Sequence, residues 1–65
     1  MRYRYAKKLT NRDEVEVHIY QEEWDRGYVV GDPKEVEVEG QKVIELTVQT
    51  SNNGLLFNVT HTMIR

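Results

Sequence analysis

Apolar and polar residues alternate along most of this chain with a period of two. Val15, Val17 and Ile19 alternate with Glu14, Glu16 and His18; Val36 and Val38 with Glu35, Glu37 and Glu39; Ile44, Leu46 and Val48 with Glu45, Thr47 and Gln49. A strand turns successive side chains to opposite faces, so this spacing predicts half-buried β-strands. The best-defined element is a hairpin over Val43 to Val59. Asn53 and Gly54 tolerate φ > 0 at both central positions of a type I′ turn, which predicts a two-residue loop. That loop sets Thr50 opposite Phe57 and Val48 opposite Val59, with the apolar sets of both strands on one face.

The other elements follow from the same pattern. A first strand covers Glu14 to Tyr20, and a second, Gly27 to Gly31, is bounded by glycines and broken by Asp32-Pro33. A third spans Glu35 to Glu39. Its pairing with the hairpin strand is a question of parity: a Gly40-Gln41 loop would mix the faces, whereas Gly40-Gln41-Lys42 sets Val38 opposite Ile44 and Val36 opposite Leu46. The second alternative is the expectation. Gln21 to Arg26 reads as a loop with room for a short helical turn. After Val59 a 3₁₀-like turn or a short closing strand tucks Ile64 under the sheet. At the start, Arg alternates with Tyr through Tyr5, which suits either an edge strand with Tyr3 and Tyr5 on one side or a frayed arm.

The fold class is therefore all-β: a small five-stranded barrel or strongly bent antiparallel sheet over residues 13–65, preceded by an arm or edge strand over residues 1–12. The order Asp13-x-Val15-x-Val17, then Gly27-x-Val29, then two longer strands, then Val59-x-His61-x-x-Ile64 resembles the SH3-like small barrels of the KOW, Tudor and chromo-barrel type. The resemblance implies the fold and a binding habit. It does not extend to the glycine-rich entry of KOW motifs, where this chain has Asn11-Arg12-Asp13, or to an aromatic cage of the Tudor kind.

Composition narrows the picture. A 65-residue chain buries only ~60% of the surface it exposes when unfolded, so its core has little to spare. It has no cysteine, hence no disulfide staple or thiolate metal site, which fits a reducing, cytoplasmic setting. No stretch approaches the ~20 apolar residues of a membrane span, and no signal-peptide pattern opens the chain. The net charge of −2 conceals a division: residues 1–12 carry Arg2, Arg4, Lys7, Lys8 and Arg12 with no acid, for +5, and the remainder sums to −7. A basic arm beside an acidic body can pair with that body, with a neighbouring copy, or with phosphate.

Three constellations are candidate sites. In the arm, Arg2, Arg4, Lys7, Lys8 and Arg12 interleave with Tyr3 and Tyr5. Cations neutralise phosphates and tyrosines accept stacked bases, so this suits single-stranded nucleic acid; an edge strand with solvated charges would look the same. Tyr20, Trp24 and Tyr28 bracket the first loop, where aromatics beside Glu22, Glu23 and Asp25 suit a basic or proline-containing peptide; alternatively Trp24 caps an open end of the barrel. Together with the acidic face of Glu14, Glu16, Glu35, Glu37 and Glu39, this loop defines the leading expectation, a protein-interaction or regulatory module with a basic partner. His18 shares a strand face with Glu16, and His61 falls at the end of the sheet. Without a third convergent ligand neither predicts a metal site, and both read as solvated, ion-paired or hydrogen-bonded. No nucleophile turn, phosphate loop or zinc-helix motif is present, so neither an enzyme nor a cofactor is expected. Asn58-Val59-Thr60 matches a glycosylation sequon, read as chance. A third reading is a homo-oligomeric structural part, as in a phage or mobile element, with the arm of one copy on the acidic sheet of the next.

Overall fold

The computed structural model describes residues 1–20 and 22–65. A helical turn, α1 (Tyr3–Ala6), precedes strands β1 (Glu14–Val17), β2 (Asp25–Val38), β3 (Gln41–Thr50) and β4 (Leu56–Thr60), and a 3₁₀ turn (His61–Met63) follows. The strands form one antiparallel sheet in the order β1-β2-β3-β4, curled into a half-barrel. The chain is all-β with a bent sheet, on four strands instead of five. Gln21, within the predicted first loop, lies outside the described residues.

The missing strand has a physical cause. Gly27 to Gly31 and Glu35 to Glu39 are parts of a single long β2, which bends without breaking at Asp32-Pro33. Val30 pairs with Thr47 and Lys34 with Glu45, so residues 31–33 lie opposite Leu46 alone. This irregularity takes up Pro33, which has no N–H to give a ladder, and Gly31 supplies the positive φ of 77° at the bend.

The turn between β2 and β3 also differs from expectation. It is Glu39-Gly40, with φ of 51° and 79°, and it sets Val38 opposite Gln41 and Glu35 opposite Ile44. The faces do mix. Glu35 and Glu37 lie on the concave side with Ile44, whereas Val36, Val38 and Val43 turn to the convex side. A charge opposite buried Ile44 is tolerated here because Glu35 itself is exposed at the margin of the core and pairs with Lys42 at 3.8 Å.

The β3–β4 hairpin is present with its register moved by two residues. Val48 opposes Phe57 and Leu46 opposes Val59, so the apolar face survives the shift, as a period of two requires. The loop closes as a wider turn. Gly54 N–H donates to Thr50 O at 2.9 Å and Thr50 N–H to Leu55 O at 3.0 Å. Asn53 is spent otherwise than expected: its Oδ1 accepts from the Thr50 hydroxyl and from Leu55 N–H, and only Gly54 takes a positive φ, of 69°.

The two ends of the chain seal the half-barrel. Ile64 bridges Val17, Glu16 and Arg65 exchange backbone hydrogen bonds at 2.9 Å, and His18 N–H donates to Met63 O at 2.8 Å. The predicted 3₁₀ turn and buried Ile64 are thus both present. Residues 1–9 are neither strand nor frayed arm. Tyr3, Ala6 and Leu9 recur at a spacing of three, the spacing of a helical turn, and α1 lays Ala6 into the core beside half-buried Tyr3 and Leu9. That core comprises Ala6, Val15, Val17, Val29, Ile44, Leu46, Val48, Val59 and Ile64, each large aliphatic member contributing about 1.5–3 kcal/mol by leaving water. Gly27 belongs to it by absence: a Cβ there would stand 2.6 Å from Val48 Cγ1. Among the described residues no helix is long and apolar enough to cross a membrane.

Candidate functional surfaces

The aromatic residues of the first loop have different neighbours. Tyr20 meets Phe57 edge-on, with ring centroids 6.5 Å apart. Trp24 stacks on His18 at 4.9 Å, and the Arg65 guanidinium lies over its ring at 4.1 Å. Tyr28 points from β2 to the convex face, opposite Glu14. Trp24 is half-buried, with a cation and an imidazole both against its ring. A ring already engaged by two side chains of its own chain offers less free surface to a peptide.

The acidic face divides likewise. Glu14 pairs with Arg26 at 3.1 Å and Glu16 with Arg65 at 3.3 Å, both on the convex side, while Glu35 and Glu37 lie on the concave side. His18 is exposed and engaged with Trp24, and His61 ends the sheet as expected: its Nδ1 accepts the Ile44 N–H at 3.2 Å, taking the place of the next ladder carbonyl. Among the described residues no three His, Asp or Glu side chains converge as metal ligands would.

In the arm the two tyrosines part company. Tyr3 turns inward, its ring edge-on to His61 at 5.8 Å. Its hydroxyl is enclosed without a partner in hydrogen-bonding geometry, yet lies near enough to Glu35 for each to shift the other. The Glu35 carboxylate, with burial, pushes the Tyr3 phenol up to about 12. Tyr3, then Lys7 and Lys42, hold Glu35 below the usual carboxylate range. Tyr5 is exposed under the Arg4 guanidinium, 4.9 Å away. Arg2, Arg4, Lys7, Lys8 and Arg12 are all exposed, and none forms an ion pair among the described residues.

One feature escaped the sequence reading. On the convex face, β2 presents Tyr28 and Val30 before the bend and Val36 and Val38 beyond it, with Lys34 between the two pairs, Val43 beside Val36 and Leu56 two strands from Tyr28. Val38 is 52% exposed and Leu56 60%. Assigning the valines of residues 35–39 to the core hid this surface, and only the parity of the Glu39-Gly40 turn could have disclosed it. At the bend this surface borders an open cleft of about 170 Å³ between Val30, Asp32 and Lys34 on β2, Glu45 and Thr47 on β3, and Asn58 on β4.

Compared with family models, with curated proteins and with solved structures, the chain matches none. Fold and surface together define a small all-β chain whose sheet is curled over one apolar core.

Proposed function

We propose that this chain is a non-catalytic protein-interaction module that binds its partner through the convex face of β2 and β3. The observation behind this reading is the outward set Tyr28, Val30, Val36 and Val38. A small domain has every reason to bury such residues, and an apolar set left outside marks a contact surface. Its charged neighbours are of both signs, Glu14, Asp32 and Glu45 with Arg26 and Lys34, so the partner presents an apolar patch with a mixed polar rim. The strand order with a 3₁₀ turn before the closing segment suits the SH3-like class, and a cysteine-free chain suits the reducing cytoplasm. The test uses a photo-crosslinking residue at Val30 and, as control, at Lys8, followed by binding of the purified captured protein. One discrete partner should crosslink at Val30, and Val38→Asp should weaken its binding at least tenfold. Capture only at Lys8, or an affinity indifferent to Val38→Asp, would overturn the proposal.

The exposed cations of residues 2–12, without an ion pair among the described residues and with Tyr5 beside them, favour a second reading, contact with a short stretch of single-stranded nucleic acid. Its mark is affinity that falls steeply with salt and with Arg4→Glu and Lys8→Glu.

A further inference from the structure

The edges of this sheet are not protected alike. β1 is covered by the closing segment, through the hydrogen bonds of Glu16 with Arg65 and of His18 with Met63. The outer half of β2 carries Pro33, Lys34, Glu35 and Glu37, the residue types that discourage strand addition. β4 has none of these. Leu56-Phe57-Asn58-Val59-Thr60 contains no charge and no proline, it ends the strand order, and it follows the half-exposed Leu55.

The hydrogen-bond phase of β4 fixes what this edge offers. Thr50 N–H donates to Leu55 O, which makes residues 50 and 55 a hydrogen-bonding pair. In an antiparallel ladder such pairs recur at every second residue, so Phe57 and Val59 spend their backbone groups on β3. Leu56, Asn58 and Thr60 then point theirs away from the sheet. None of these groups meets a backbone partner on that side among the described residues.

We propose that this edge pairs with the same edge of a second copy, antiparallel about a twofold axis at Asn58. That register sets Asn58 against Asn58 and Leu56 against Thr60 of the other copy. Every outward-pointing residue then faces another, and each pair exchanges both its N–H···O=C bonds. The edge complements itself, and this favours a second copy over an unrelated strand. No like charges meet across the junction, and Leu56 gains a neighbour for a side chain otherwise in water. The product is one continuous sheet of twice the strands, with the convex faces of both copies on the same side. A junction this short buries less than the ~1,200–2,000 Å² of a stable interface, so the association is reversible and concentration-dependent.

Sedimentation of the full chain over a concentration series, from about micromolar to about millimolar, tests it. The wild-type mass should climb from monomer toward dimer. Asn58→Lys sets two ammonium groups directly opposite each other and should hold the chain monomeric, with added salt restoring part of the dimer. Asn58→Pro removes an N–H that β3 does not use and should also abolish the dimer. A wild type monomeric at the top of the series, or an Asn58→Lys chain dimerising as well as wild type, would overturn the proposal. Should both variants misfold, amide exchange of the wild type decides. Protection of Leu56, Asn58 and Thr60 must rise with concentration, and its failure to do so has the same adverse meaning.

Discussion

Tyr3 and Glu35 form the titrating pair of this molecule, one from α1 and one from the concave side of β2. The phenol rises from its ordinary 10.0 to about 12 in the fold, so folding favours its neutral form. The unfolded chain gives up that proton first. The stability tied to Tyr3 is therefore whole below pH 10.0 and drains away as pH climbs toward about 12. Glu35 behaves in the opposite sense. Its folded value lies below the ordinary one, so its contribution is present above the ordinary carboxylate range and is lost as pH falls through the depressed value. Tyr3→Phe should flatten both limbs relative to wild type, measured as denaturant midpoint against pH. An unchanged alkaline limb would mean that the phenol does not sense the carboxylate. This pair was invisible in sequence, because the residues are far apart along the chain and meet only after the Glu39-Gly40 turn sends Glu35 to the concave side.

At the scale of elements, the β2–β3 turn decides the surface. Glu39 occupies the left-handed region with φ of 51°, where a residue other than Gly, Asn or Asp is uncommon and costs about 1–2 kcal/mol. Glu39→Asn should therefore stabilise the fold by about 1 kcal/mol, read from equilibrium unfolding. Destabilisation by the same change would assign Glu39 a contact that its exposed side chain does not show. Strand identity was legible here because alternation survives a bend, as in Val36 and Val38. Strand number and facing were not, because a bulge at residues 31–33 and a two-residue turn in place of the expected three-residue one leave the alternation intact while changing what it faces. The β3–β4 hairpin shows the converse: its loop was misjudged, yet a slip of two residues kept Leu46, Val48, Phe57 and Val59 together. The neighbours of the candidate side chains were less legible than the strands. Tyr20, Trp24 and Tyr28 are near in sequence, but strand geometry and the Arg65 side chain draw them to different surroundings.

For the whole molecule the seam between β1 and the closing segment carries the stability. Ile64 is fully buried, and Ile→Ala at such a site costs about 2–5 kcal/mol. A chain of this size holds roughly 3–10 kcal/mol in total. Ile64→Ala should therefore leave the protein largely or marginally unfolded at room temperature, while Ile64→Val keeps the fold with a loss near 1 kcal/mol. Thermal unfolding followed by circular dichroism distinguishes these, and a cooperative, wild-type-like transition for Ile64→Ala would show the seam to be dispensable. The same seam gives the fold a schedule. Residue 17 waits for residue 64, so on the ribosome the edge of β1 stays uncovered while the rest of the sheet is being made. During that interval the nascent chain leaves the β1 edge open to a chaperone or to another strand.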